Sequence, residues 1–586
     1  MSDRFDFIIV GGGSAGAVVA SRLSEDPRIR VALLEAGDRP PERELTPAAA
    51  ASLQRDPATD WMDWAEPGKA GLGLKGGRLR SPRGKMLGGS SGLNYMVWVR
   101  GHPQDFDHWA AGGAEGWSYD EVLPAFRRIE DLVPSNEIAI DLEAHGVGGP
   151  VGVAVRSPMI PSTRLFVDAA EAAGIPRGDY NGRDRLRAAG VVSAHQINTR
   201  HGKRSSTFHA YLEGEVEARP NLEIITGARV SRVLLSEDGA TPSATGVEYR
   251  DAAGSSHALH ARREVILSAG AVGSPHLLML SGIGPRRELE AADIVCRHEL
   301  PDVGKHLKDH TLIAMTFPAP GLGVSPGEIA RAMDPEDPRR DLAAWNATGS
   351  GLMASGWNEA SAFFSTGLGA DYSHDGQISF MPGGIDADTL ANKQNIDIEK
   401  LFADVGQVLS LEAENIYLMA QLELPRSEGE VVVRSADPAV PPIIDMNYYA
   451  DPLDLRVMTA VMRRGLEIVA RWPGPNKPGP WLAPPDLARK HGHVAGRPPS
   501  DALLENVALH FTTTTYHLCC TCRIGSVVDP RLRVLGVSNL RVADASVMPE
   551  IPSGNINAVV IMIGEKAAEI IAQDHGLHTR AASAVA

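Results

Sequence analysis

Cysteine is scarce in this chain, with four residues among 586. So thin a supply argues against a disulfide scaffold and fits a reducing compartment, here read as cytoplasmic. Three of the four crowd into one stretch, TTYHLCCTCRIG (Thr514–Gly525), as Cys519, Cys520 and Cys522, while Cys296 lies far off. No second Cys-x-x-Cys pair completes a zinc set, and adjacent cysteines chelate one ion poorly. No metal is therefore expected, and the thiols read as small packing groups. Positive charge is also in deficit. Lys and Arg number 57 against 73 Asp and Glu, a formal net charge of −16, which argues against a nucleic-acid partner because that would need a basic face. No apolar run approaches the roughly 20 residues of a membrane span, which leaves only peripheral membrane association open. The start, MSDRFDFIIVGGG, has no basic region followed by an apolar run and a small-residue cleavage site, so no signal peptide is expected. No internal repeat is visible. The balance that remains, 43% hydrophobic and 22% charged, is that of a soluble globular protein whose length calls for two or more domains.

The two ends of the chain read as one cofactor site. FDFIIV (residues 5–10) is a short apolar run suited to a buried parallel strand. GGGSAGAVVASRLSE follows, with Gly11, Gly13 and Gly16 in G-x-G-x-x-G spacing, then an amphipathic pattern (Ala17, Val18, Ala20, Leu23) and a second strand, VALLEAG, closing on Glu35. Gly11 allows a tight turn, Gly13 lets backbone approach a pyrophosphate, and Gly16 lets helix and strand pack closely. The helix N-terminus faces the diphosphate. Glu35 is expected to accept from the adenosine ribose hydroxyls, and an acid there disfavours a 2′-phosphate. Strand, turn, helix, strand and terminal acid together signal a dinucleotide, without separating NAD from FAD.

Two further stretches separate them: GKMLGGSSGLNYMVWVRGHPQDFDHW (Gly84–Trp109) and GAVGSPHLLMLSGIG (Gly270–Gly284). With these the chain resembles the glucose–methanol–choline (GMC) oxidoreductase family, which binds FAD. The resemblance runs from the first strand to RVADASVMPEIPSGNINAVVIMIGEKAAEII (Arg541–Ile571) and is weakest between about Leu322 and Arg497. It implies an α/β fold: a discontinuous Rossmann-like FAD-binding domain (1–159, 201–315 and 516–580), an interleaved α+β substrate domain (160–200 and 316–515), and a tail, 581–586. It also implies the cofactor contacts. At the first turn these are Gly11, Gly13, Ser14, Ala15 and Gly16, with Glu35 and Ala36 at the second strand. Gly88, Ser90, Ser91, Asn94 and Val97 belong to the second signature, with Asn94 offering both a donor and an acceptor to the flavin edge. Val230 is placed for a backbone contact to adenine, Asp544 and Ala545 for the diphosphate–ribityl region, and Asn557 at the start of the last helix. Where some relatives carry a histidine joined to FAD, this chain has Leu93, so the FAD is expected to be non-covalent.

The resemblance makes His517 the catalytic base, facing Asn557. An alcohol is a poor hydride donor until its proton leaves, and histidine can take that proton near neutral pH. Asparagine can hydrogen-bond the substrate oxygen as alkoxide character develops. The implied activity is oxidation of a small-molecule alcohol to a carbonyl, with oxygen or a quinone-like acceptor; a repurposed flavin chemistry, hydroxynitrile lyase or photodecarboxylase, is the alternative. Departures occur after the histidine. Leu518 stands where Pro is common and Cys520 where Gly is usual, while Cys522 keeps its family position. Trp61, Tyr95, Trp98 and Tyr516 are candidate pocket aromatics. His102, His108, His209 and His510 read as surface or structural groups. The Gly- and Pro-rich segment 321–351 reads as a loop or lid, and the chain beyond about Asp574 as a frayed tail.

Overall fold

The computed structural model describes residues 4–236, 241–334, 342–369 and 373–579. The first apolar run forms strand β1 (Arg4–Val10), with Phe7, Ile8 and Ile9 wholly buried, as a strand covered on both faces requires. Strand β2 (Val31–Leu34) runs parallel to it, Phe7 opposite Val31 and Val10 opposite Leu34. Leu222–Ile225 continues the sheet beyond β2. On the other side of β1 lies the long strand Ser256–Leu267, and Leu540–Val542 pairs parallel with its end. The start of the long strand turns into an antiparallel meander through Ser243–Arg250 and Arg229–Ser236. Helix α1 (Gly16–Leu23) links β1 to β2, and the final helix, Asn557–His575, packs on it. Gly564 sits at their closest approach, where a Cβ would stand 2.9 Å from the Ala15 carbonyl oxygen. Arg22 clamps the two helices, its Nε and Nη2 donating to Glu565 Oε1 at 2.9 and 2.8 Å.

A second, antiparallel sheet orders its strands Thr513–Thr514, Thr311–Pro318, Asn415–Leu422, Gly376–Met381, Ala360–Phe364 and Val191–Ala194. Its two faces follow the two-residue period of a strand. Ile378 and Leu418 lie under the helix Pro452–Ala470, where a Cβ on Gly465 would meet both. Ser379, Met381, Met419 and Gln421 face a cavity between the two sheets.

Three expectations need correction. The boundary expected at 315/316 falls inside the strand Thr311–Pro318, which belongs wholly to the antiparallel sheet. The segment 321–351 is not simply loop. Ser325 and Glu328 make a reciprocal capping box that starts the helix Pro326–Met333, and Leu342–Thr348 is also helical; 335–341 lie outside the described residues. The helix runs on to His575, and Gly576 ends it in the left-handed conformation. Leu577 and Thr579 are buried beyond it, so fraying does not begin at Asp574; 580–586 lie outside the described residues. Among the described residues no helix is long and apolar enough to cross a membrane.

Candidate active site

The cavity, about 340 Å³, runs from the ends of the parallel strands to the polar face of the antiparallel sheet. At its nucleotide end the first turn is held by two glycines that nothing larger replaces. Gly11 has φ +100°, and a Cβ there would meet the Ser268 carbonyl oxygen at 2.5 Å. Gly16 lies beneath the turn, where a Cβ would run into the Gly11 carbonyl. Gly13 differs, because it lines the cavity and its Cβ would meet nothing nearer than Gly89 Cα at 3.7 Å. A side chain there would stand in the cavity itself, which is the condition for a ligand that needs close backbone approach. Ser14, Ala15, Glu35, Ala36 and Val230 line the same end.

Glu35 also holds the turn itself. Its Oε2 accepts from Gly12 N–H and its Oε1 from Gly37 N–H, each at 2.8 Å, so it ties the turn to the strand end. A carboxylate retains further lone pairs for ligand hydroxyls. Burial pushes its pKa up to about 7, against the pull of those amide bonds. Asp544 is more fully engaged than expected. Oδ2 accepts from Gly270 N–H and Ser274 Oγ, and Oδ1 from Ser546 N–H and Oγ, at 2.5 to 2.8 Å. Four donors reach its two oxygens, so its carboxylate knits the helix Gly270–Leu280 to the 545–547 turn in the cavity wall, which Asp544 lines. Ala545, beside it, lines the cavity.

The Gly88–Asn94 loop divides in the same way. Ser90, Asn94 and, beyond it, Val97 line the cavity, whereas Gly88 and Ser91 lie behind it. Ser91 Oγ donates to Gly88 O at 2.6 Å and accepts from Thr207 N–H at 3.0 Å. Arg204, 2% exposed, grips the loop through Ser91 O, Asn94 O and Asn94 Oδ1 at 2.8 to 3.2 Å. Leu93 also lines the cavity and carries no nucleophile. Arg204 and Thr207 left no mark in the sequence, because their role arises only from contact across more than a hundred residues.

At the far end stands His517. Thr513–Thr514 pairs with Thr311 and Leu312, and Thr515 N–H donates to His310 O at 3.0 Å. That short ladder brings Asp309 and His310 alongside His517. Asp309 Oδ1 accepts from His517 N–H at 2.7 Å, and Tyr448 Oη donates to Asp309 Oδ2. His517 Nδ1 lies 2.8 Å from His310 Nδ1. Burial pushes the His517 pKa down to about 3, so the ring is neutral at physiological pH.

The partner of His517 is not the one expected. Asn555 Nδ2 lies 3.2 Å from His517 Nε2, while Asn557 Oδ1 accepts from Ser14 Oγ at 3.1 Å, back at the glycine turn. Asn557 is the first residue of the last helix and is aimed at the glycine turn before α1; Asn555 precedes the helix and faces His517. Both asparagines line the cavity, and each has one amide atom buried without a partner, Oδ1 in Asn555 and Nδ2 in Asn557. The motif GNIN holds two asparagines, and its spacing alone does not choose between them.

Cys519, Cys520 and Cys522 are wholly buried and free of disulfides, Cys520 Sγ donating to Cys519 Sγ at 3.3 Å, and burial raises the pKa of Cys519 and Cys522. Cys519 bridges antiparallel to Lys308 and the chain then turns, with Cys520 N–H donating to Ala545 O and Cys522 N–H to Ser546 O. Tyr95, Tyr516 and Trp61 line the cavity; Trp98 does not, and donates to Glu130 at 2.7 Å in the core. Among the described residues no group of three or more His, Cys, Asp or Glu could hold a metal ion. The glycine cradle, the long cavity and the two half-satisfied asparagines fit a flavin dinucleotide.

Comparison with known proteins gives the same frame. The family model described as GMC oxidoreductase matches residues 5–312 in its N-terminal part and 425–564 in its C-terminal part. An oxygen-dependent choline dehydrogenase of Vibrio vulnificus is 34% identical over 580 residues, 97% of this chain and 95% of that protein. An alcohol dehydrogenase [acceptor] of Pseudomonas putida is 33% identical over 585 residues, 97% of this chain and 95% of that protein. Among solved structures, a formate oxidase of Aspergillus oryzae superposes with a TM-score of 0.82 at 29% identity, covering 98% of this chain and 99% of that one.

Proposed function

The chain belongs to the GMC oxidoreductase family, with FAD as its cofactor, and from that premise we propose that it oxidises an alcohol to a carbonyl, with His517 as the base. The observation that carries this reading is the His517–Asn555 pair in the wall of the cavity that begins at the glycine cradle. Asn555 donates to Nε2 of a neutral imidazole, which marks Nε2 as the nitrogen with a lone pair. That lone pair takes the hydroxyl proton, and the Asn555 amide holds the substrate oxygen as charge develops on it. FAD, when bound, supplies the hydride acceptor. The cradle at Gly13, the carboxylate of Glu35 and the amide of Asn94 would hold it without a covalent bond, since Leu93 offers none. The final acceptor is oxygen or a quinone-like compound. The floor of the cavity contributes uncharged groups, Ser379, Gln421, Met381 and Met419, which suit a neutral alcohol.

The test is a panel of alcohols mixed anaerobically with the FAD-loaded protein, followed by re-oxidation with oxygen and with a quinone in parallel. Flavin bleaching by some member, with the flavin released on acid precipitation, is the expected result. Flavin that no alcohol reduces would overturn the activity, and flavin that stays with the precipitate would overturn the non-covalent mode.

A further inference from the structure

Behind His517 the wall contains a row of buried polar groups that proton abstraction itself leaves unused. His310 has no accessible surface, and its ring meets that of His517 at 89° with the two Nδ1 atoms 2.8 Å apart. Its Nε2 makes no close hydrogen bond and lies 3.7 Å from Glu423 Oε2, with the backbone carbonyls of Glu423 and Pro552 also facing the ring. Glu423, also without accessible surface, makes no close hydrogen bond through either oxygen, and the Gly554 N–H is the backbone donor that faces it. At the other end of the row Asn555 meets His517 Nε2. Buried polar atoms left this way are costly, and a small shift or one bridging water would join Glu423 to the row.

An Nδ1–Nδ1 contact between neutral rings has room for one proton, so the row can run in only two directions. In the first, His310 Nε2–H points at a Glu423 carboxylate, His310 Nδ1 accepts from His517 Nδ1–H, and His517 Nε2 presents a lone pair to the cavity. In the second, the Glu423 acid donates to His310 Nε2, His310 Nδ1–H donates to His517 Nδ1, and His517 Nε2 carries a proton, with the Asn555 amide turned so that its otherwise unpartnered Oδ1 accepts from it. Only the first holds a base. We propose that Glu423, acting through His310, selects the tautomer of His517 and so switches the base on when it ionises; this rests on the reading of His517 as the base. In passing from the second state to the first, the Glu423 proton moves to His310 Nε2. The His310 Nδ1 proton moves to His517 Nδ1, and the His517 Nε2 proton leaves to solvent, a net release of one proton. His310 and Glu423 are thus positioning residues.

The surroundings set where the switch lies. Burial pushes Glu423 up to about 8, and the Arg185 guanidinium opposes that shift, while Asp105 and Asp309 reinforce it. His310 itself is held neutral by burial and by His517. The groups that face the row are therefore Arg185, Asp105, Asp309, His517 and the chain at Pro552–Gly554.

The experiment compares wild type with Glu423→Gln, His310→Asn and His517→Ala, each FAD-loaded. Flavin reduction is followed at saturating alcohol across pH 6–10, and 15N-histidine spectra are recorded without substrate. The wild-type rate is expected to rise ~10-fold or more through a step near pH 8. The His517 nitrogen signals, identified by their loss in His517→Ala, should change tautomer through the same step. In Glu423→Gln both changes should vanish, with alcohol affinity unmoved. His310→Asn should reduce slowly with no step; should it lose FAD, Glu423→Gln carries the test. A step or a tautomer change that survives Glu423→Gln overturns the proposal. A His517→Ala protein that reduces at the wild-type rate overturns the base itself, whereas a slow His517→Ala beside an unaltered Glu423→Gln profile overturns only the selection.

Discussion

At the scale of single residues, the division of labour between two asparagines is open to direct measurement. His517→Ala is expected to slow flavin reduction by about 10²–10⁴-fold, the usual contribution of a positioned base. Asn555→Ala should cost ~10–10³-fold, because one donor is lost and the base remains. Asn557→Ala, which loses its tie to Ser14, should show itself in flavin retention more than in the reduction rate. Stopped-flow reduction at saturating alcohol separates these outcomes, and equal losses in the two asparagine variants would contradict the assignment. The thiols make a second test. Cys520 holds φ +72°, a conformation that costs a side chain about 1–2 kcal/mol, whereas its buried thiol returns a similar amount through packing. Cys520→Gly should therefore leave stability within ~1 kcal/mol and reduction within a few-fold; loss of reduction in a folded, flavin-loaded variant would give the thiol a chemical role. His517 was legible in the sequence because a motif surrounds it. Asn555, His310 and Glu423 were not, since what joins them is a turn, a strand pairing and a buried approach that no spacing encodes.

At the scale of elements, the strand–turn–helix at the N-terminus was readable nearly to the residue, because glycine spacing and an apolar run are local signals. The antiparallel sheet was not. Its strands come from six places between Val191 and Thr514, and Thr311–Pro318 looks no different in sequence from a strand of the other sheet. We propose that the substrate-facing unit begins before Thr311, so that the boundary follows the sheet. The cradle offers an element-level prediction. Gly13→Val would stand in open cavity, its Cβ no nearer to backbone than 3.7 Å from Gly89 Cα, so the apo protein should keep its unfolding temperature while flavin content falls sharply. Gly16→Val, whose side chain would meet the Gly11 carbonyl, should instead destabilise by several kcal/mol. Absorbance at the flavin bands and thermal unfolding of the apo forms distinguish the two; a Gly13→Val protein that is merely unstable would contradict the cradle.

At the scale of the whole molecule, buried ionisable groups shape stability against pH. Glu423 has its folded pKa raised to about 8 from an ordinary 4.5. The folded state therefore keeps a proton that the unfolded state gives up, and the stabilisation this brings, complete below pH 4.5, is lost as pH rises toward 8. The loss runs at about 1.4 kcal/mol per pH unit within that window. Glu423→Gln, which cannot ionise, should match wild type near pH 4.5 and exceed it increasingly toward pH 8. Thermal unfolding of both proteins at pH 5 and pH 8 measures this, and a difference that does not grow with pH would show that Glu423 is charged in the folded state.

The pairing of Leu540–Val542 with the strand beside β1, and of Asn557 with Ser14, has a consequence for synthesis. A chain growing on the ribosome makes its glycine turn first and must wait for more than five hundred further residues before the opposite lip of that turn exists. At ~5–20 residues per second the wait is on the order of half a minute to two minutes. Through that interval the nascent chain offers a nucleotide cradle with one side missing. Flavin capture is then a late event, coupled to synthesis of Leu540–Val542 and Asn557, and a premature stop anywhere before Asn557 would yield a protein that never gains its colour.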